Sequence, residues 1–95
     1  MLKMIKEFVE GVNTIIVRSE KEFEKLKEVL RPCGVSLVYP YEKWKELARI
    51  NRHENPNILI FENQPYRGVT FYKRIKDSVD WYGVKPYEAS SLLSN

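Results

Sequence analysis

The 95-residue chain is poor in the residues that build covalent and metal-centred sites, with one cysteine, Cys33, and one histidine, His53. With a single cysteine no intramolecular disulfide can form, and a thiolate metal site has no second sulfur ligand. A single histidine likewise excludes a His-rich metal site. We therefore expect a fold that needs neither disulfide nor metal and that suits a reducing compartment.

Glycine is also scarce, and the four glycines are scattered along the chain at Gly11, Gly34, Gly68 and Gly83. No glycine-rich phosphate loop is present, so the sequence predicts no nucleotide cofactor. No uncharged run approaches the roughly 20 residues of a membrane-spanning helix, and charged residues interrupt the apolar N-terminus. These absences predict a cytoplasmic protein with no cofactor, no metal and no membrane association.

What is present is an ordinary globular composition, 43% hydrophobic and 31% charged, with twelve aromatic residues. Neither disorder nor low complexity is indicated. We expect residues 1–95 to form a single domain with a modest core.

The first half of the chain predicts a helix, a strand and a second helix. Apolar residues recur at helical spacing before Gly11, and VNTIIVR at 12–18 is typical of a strand covered on both faces. Ser19 and Glu22 then form a capping box, in which the hydroxyl accepts from the Glu22 amide and the carboxylate accepts from the Ser19 amide. Pro32 and Gly34 end this helix.

The segment VSLVY at 35–39 predicts a second strand, and with it a parallel β-α-β unit. Pro40 then occupies the first turn of a third helix, over residues 41–50, in which Trp44, Leu47 and Ala48 face inward.

The strongest strand signals come after this helix. ILIF at 58–61 is apolar on both faces and belongs at the centre of a sheet, whereas residues 69–76 alternate as a half-exposed strand does. The turn formers of ENQPYRG, 62–68, join the two as a hairpin. Residues 87–93 form a final short helix or strand. The fold class is therefore α+β, a small mixed sheet of three to four strands with helices packed on one face.

The outer face of this hairpin is the best candidate site. It interleaves aromatic and basic residues, namely Tyr66, Arg67, Thr70, Tyr72, Arg74 and Lys76. The helix and loop before it add the cations Lys43, Lys45, Arg49 and Arg52. Residues 41–76 carry eight basic and four acidic residues. Cations for phosphates and aromatic faces for bases are what single-stranded nucleic acid binding requires. The alternative is an edge strand whose charges keep it from pairing with other chains.

Cys33 and His53 are a second candidate site, since they are the elements of a thiol nucleophile and its base. However, Cys33 follows the end of a helix, where the dipole does not stabilise a thiolate, so we expect a structural cysteine.

The abundance of tyrosine and tryptophan for so short a chain is typical of an interface, which predicts a homodimer. The alternative is a tyrosine-rich surface.

The order of these parts resembles that of small accessory proteins from phages and archaeal viruses. The resemblance lies in a strand leading into S-x-x-E-F-x-x-L (Ser19 to Leu26), then Gly34, Trp44, the strand ILIF and TFYK (Thr70 to Lys73). It implies a viral accessory protein that acts inside its host, most often without an enzymatic role.

The sequence therefore favours a non-enzymatic binding protein that contacts a host protein or nucleic acid through the hairpin face. One alternative is a sequence-nonspecific binder of single-stranded nucleic acid. The other is a small enzyme, or a ligand-sequestering protein, with its site at a dimer interface.

Overall fold

The computed structural model describes residues 3–64, 68–72 and 86–94. Three α-helices occur in this part of the chain: α1 (Lys3–Val9), α2 (Glu20–Leu30) and α3 (Tyr41–Ile50). The strands are β1 (Thr14–Val17), β2 (Leu59–Gln64), β3 (Gly68–Tyr72) and β4 (Tyr87–Glu88). Short 3-10 helices cover Arg31–Cys33 and Ala89–Ser94.

The four strands form one mixed sheet in the order β3-β2-β1-β4. β2 is antiparallel to both β1 and β3, whereas β4 runs parallel to β1. The predicted α+β class and mixed sheet are thereby confirmed.

The core lies on one face of the sheet. Ile15, Val17, Leu59 and Phe61 point to this face and belong to the same buried cluster as residues from all three helices. The other face of the two central strands is also buried, since Ile16 and Ile60 are 3% and 2% exposed. Both β1 and the first part of β2 are therefore covered on both faces, as their apolar sequences predicted.

The N-terminus of α2 departs in one detail from the predicted capping box. Ser19 is the N-cap and its hydroxyl accepts from the Glu22 amide at 3.2 Å. The Glu22 carboxylate, however, accepts from the Arg18 amide at 2.9 Å rather than from the Ser19 amide. The prediction of the reciprocal bond was wrong by one residue, because the amide of Arg18, which directly follows β1, donates to the carboxylate instead of the Ser19 amide.

After Leu30, the last residue of α2, Pro32 and Gly34 stop the helix as predicted. Gly34 adopts the left-handed conformation with φ 78°, and the Val35 amide donates back to the Leu30 carbonyl at 3.2 Å. This is the arrangement that satisfies the last carbonyls of a helix, and glycine adopts it without a steric penalty.

The predicted strand at 35–39, and the parallel β-α-β unit built on it, are wrong. No strand is assigned to these residues. The parallel partner of β1 is β4, in the register Ile15 with Tyr87 and Ile16 with Glu88. The other edge of β1 is taken by β2. With both edges of β1 paired, residues 35–39 have no place beside it.

The predicted hairpin is confirmed, with a shorter loop than expected. β2 extends to Gln64, which pairs with Gly68, so Glu62, Asn63 and Gln64 belong to the strand and not to the loop. β3 is the strand at one end of the sheet order, as expected for its alternating pattern. Residues 73–76 of the predicted strand lie outside the described residues.

Two features complete the fold. Pro40 precedes α3 as its N-cap residue, and the helix buries Trp44 and Ala48. Near the far end of the chain, Glu88 forms a two-pronged ion pair with Arg18. The Nε–Oε1 distance is 2.8 Å and the Nη2–Oε2 distance is 3.1 Å. This pair holds the two-residue strand β4 against the end of β1.

We expect Ser19→Ala to lower the free energy of unfolding by about 1 kcal/mol, because an orphan helix amide loses its acceptor. Urea denaturation monitored by circular dichroism measures the change. Ser36→Ala is the matched control, since Ser36 is exposed and lies in no helix or strand. Equal stabilities for the two variants would contradict the capping role.

The stability of the fold should also fall at alkaline pH through Tyr41. Burial, followed by the charge of Glu42, raises the pKa of Tyr41 above its ordinary value of 10.0. The unfolded chain therefore ionises first, and stability that is present below pH 10.0 is lost as the pH rises through the folded-state pKa.

Denaturation at a series of pH values on either side of 10.0 measures this loss. Tyr41→Phe should make the alkaline decline shallower, because it removes the ionising group. An identical decline in the wild type and the variant would show that Tyr41 does not contribute.

Candidate functional surfaces

The hairpin face that the sequence singles out is described only in part. Tyr66, Arg67, Arg74 and Lys76 lie outside the described residues, and Tyr72 is the last residue of β3. Whether these side chains cluster therefore stays a prediction.

Arg49 and Arg52, which the sequence placed beside that face, are both exposed. Arg49 lies in the last turn of α3, and Arg52 is the second residue after the helix. Neither guanidinium forms an ion pair with another described residue. Within the described part of the chain, both guanidinium groups are therefore exposed and without an acidic partner.

Aromatic contacts join α3 and the turn after it to β3. The Phe71 ring of β3 contacts two other rings, with the Trp44 centroid at 5.2 Å and the His53 centroid at 4.5 Å. His53 immediately follows Arg52, so the turn after α3 is held against β3. We call Arg49, Arg52 and the neighbouring β3 the basic edge.

The other two cations of α3 are already engaged. Lys43 pairs with Glu46 at 3.5 Å, and the Lys45 ammonium lies 5.3 Å from the centre of the Tyr41 ring. Both contacts are local to the helix, and Glu46 partly neutralises the surface around Lys43. The four basic residues of this region therefore do not form one uniform field, and Arg49 and Arg52 are the two that have no ion pair or ring contact with a described residue.

Arg52 has an unusual backbone conformation. Its φ of 56° is left-handed, and no other non-glycine residue in the described part of the chain has a positive φ. This conformation is sterically costly for a residue with a Cβ atom. It ends α3 and turns the chain so that His53 meets Phe71.

Cys33 and His53 do not form a catalytic pair in the described structure. The half-buried Cys33 thiol donates to the Val29 carbonyl at 3.7 Å, and the buried His53 packs on Phe71. Neither residue lines either of the two grooves described below. Among residues 3–64, 68–72 and 86–94, no group of His, Cys, Asp and Glu could hold a metal ion. No helix in the same residues has the length and apolar character to cross a bilayer.

Sequence reasoning missed two adjoining grooves along the segment after α2, which share Gly34, Val35 and Ser36 in their linings. The first, of about 420 Å³, separates this segment from the end of the hairpin and is lined by Gly34, Val35, Ser36, Val38, Asn63, Gln64, Gly68 and Val69. The second, of about 290 Å³, separates it from α2 and is lined by Lys27, Arg31, Gly34, Val35, Ser36 and Leu37. The signal that could have found them is the alternating sequence VSLVY, which instead predicts a strand of the sheet.

Comparison with known proteins adds no relative, since no protein-family model, curated protein or solved structure matches the chain.

We expect Arg52→Gly to stabilise the protein by about 0.5–1 kcal/mol. Relief of the left-handed strain, about 1–2 kcal/mol, should exceed the extra backbone entropy that glycine loses on folding. Chemical denaturation measures the difference. Arg49→Gly provides the control of opposite sign, because glycine inside a helix costs about 1 kcal/mol. Destabilisation by both variants would contradict the assignment of strain to Arg52.

Proposed function

We propose that this protein is a non-enzymatic binding protein whose basic edge contacts single-stranded nucleic acid. The observation that carries the proposal is the packing of Phe71 against Trp44 and His53. Through these contacts β3, from which the sequence continues toward Arg74 and Lys76, is joined to α3 and to the turn after it, which contain the exposed Arg49 and Arg52. We therefore expect the two basic stretches, which are separate in the sequence, to contribute to one surface.

The chemistry of the basic edge suits a flexible phosphate chain better than a duplex. Guanidinium groups bind phosphate oxygens in a two-pronged geometry, and aromatic side chains such as the predicted Tyr66 and Tyr72 supply faces on which unpaired bases stack. No nucleic-acid motif that reads sequence is present in the chain. Binding should therefore be electrostatic and independent of base sequence.

Other roles remain hypotheses that the same experiment addresses. A host protein is the other partner class that the sequence predicts, and a homodimer with a ligand or catalytic site at its interface is a third. The viral origin implied by the sequence resemblance, and a cytoplasmic location, are compatible with each of these roles and favour none.

The wild-type protein should bind a fluorescein-labelled single-stranded oligothymidylate at low salt, and its affinity should fall steeply as salt rises. Replacing Arg49 and Arg52 together with glutamine should weaken binding and reduce the slope of log K against log salt by about 1.4, since each lost phosphate contact on a single strand removes about 0.7. Fluorescence anisotropy across a salt series measures both quantities.

The matched control replaces Lys6 and Lys21 with glutamine, because both lysines are exposed and lie on other helices. It changes the net charge equally and should leave the slope close to that of the wild type. A second pair, Arg74→Glu with Lys76→Glu, tests the predicted continuation of the surface. Absence of binding at low salt, or equal slopes for the arginine and lysine variants, would reject the proposal and leave the protein-partner hypothesis.

A further inference from the structure

We propose that residues 35–38 are a docking edge on which an acidic, extended segment of another protein adds as a β-strand. The proposal does not depend on the proposed nucleic-acid function, although the larger groove shares β3 with the basic edge. The components of the site are the segment itself, the two grooves beside it and two cations of α2.

The segment has the side-chain pattern of a strand without belonging to a sheet. Val35 is half-buried and Leu37 is buried at 3% exposure, whereas Ser36 is exposed and Val38 is 69% exposed. Alternate side chains thus point inward and outward, which is the period of a β-strand. The inward residues anchor the segment in the core and leave its backbone at the surface.

The backbone of this segment lacks the partners that a strand normally has. The Val35 amide donates to the end of α2, but the amides of Ser36, Leu37 and Val38 form no backbone hydrogen bond with described residues. A strand with unpaired amides and carbonyls is a template for an added strand. About 13 Å of backbone, at roughly 3.3 Å per residue, is available for pairing.

The grooves provide the space for such a strand. The larger groove separates the segment from Gly68 and Val69 of β3, itself the strand at one end of the sheet. Its lining combines apolar Val35, Val38 and Val69 with the side-chain amides of Asn63 and Gln64. A peptide there would have apolar contacts for alternate side chains and polar groups for orientation, as strand-adding sites do.

The charge of the second groove identifies the partner. Lys27 and Arg31 line it, no acidic residue does, and neither cation forms an ion pair with a described residue. A carboxylate on the incoming segment would therefore find two unpaired partners next to the docking edge. The same charges argue against a second copy of this chain, because two-fold pairing of these segments would bring like charges together.

The test starts from an unbiased probe, a phage-displayed library of random dodecapeptides selected on the full-length protein. We expect enrichment of peptides that place aspartate or glutamate beside a run of β-branched residues. One enriched peptide, synthesised with a fluorescent label, then gives dissociation constants for the variants. No enrichment, or enriched peptides without acidic residues, overturns the proposal.

Two variants test the mode of binding. Val38→Pro removes one amide from the docking edge and should weaken binding about tenfold or more, whereas Val38→Thr keeps the amide and should bind like the wild type. Hydrogen exchange adds a direct measurement, since strand addition should slow exchange at Ser36, Leu37 or Val38. Equal affinity of the two variants, or unchanged exchange when peptide is bound, rejects strand addition.

The contribution of the Lys27 and Arg31 charges to peptide binding is tested with residues 35–38 unchanged. Lys27→Glu with Arg31→Glu should weaken the same peptide about tenfold or more, whereas Lys21→Glu with Lys25→Glu on α2 should have little effect. This pair remains informative even where Val38→Pro impairs folding. Equal affinity of the two charge variants overturns the acidic partner, as does a homodimer in sedimentation equilibrium that Val38→Pro dissociates.

Discussion

The rest of the structure depends on the enclosure of β1. All four of its residues are buried, one edge is paired with β2, and the other is paired with β4 from the opposite end of the chain. Buried backbone groups need hydrogen-bond partners, so a strand enclosed in this way must have both edges filled. The C-terminal residues fill the second edge, and the Arg18–Glu88 pair holds them there. That pair is exposed and contributes little stability by itself, so its role is one of register.

Enclosure of β1 determines which surfaces remain open. Once β4 occupies the parallel edge, the chain that leaves α2 cannot join beside β1 and runs along the surface until Pro40 begins α3. There its amides at Ser36, Leu37 and Val38, which form no backbone hydrogen bond with described residues, lie next to the end of the hairpin. At the same time Trp44 and His53 secure α3 and its following turn against Phe71. The docking edge and the basic edge thus both involve β3, which has β2 as its sheet neighbour.

Features with a local physical cause could be predicted from the sequence. The start of α2 follows from the Ser19 hydroxyl and its end from Pro32 and Gly34, while β1 and β2 follow from apolar residues on both faces. The outcome for residues 35–39 could not be predicted in the same way, because whether an extended segment joins a sheet depends on which other segment pairs with that edge. Here the segment that pairs with the edge, β4, lies some 50 residues further along the chain. The exposure of Arg49 and Arg52 likewise has a local cause, but the contacts of Phe71 that join α3 and its following turn to β3 are not encoded by any local pattern.

An unpaired strand edge is normally a hazard, since it can pair with any other chain, and the neighbourhood of residues 35–38 contains the features that limit this. The segment is short, Pro40 follows it closely, and Lys27 and Arg31 lie beside it. Proline stops a longer strand from adding, and the two cations repel a second copy of the same surface. They do not repel an acidic strand. The features that protect the edge from self-association are therefore the same ones that select its partner, which explains how a small protein can keep such an edge open.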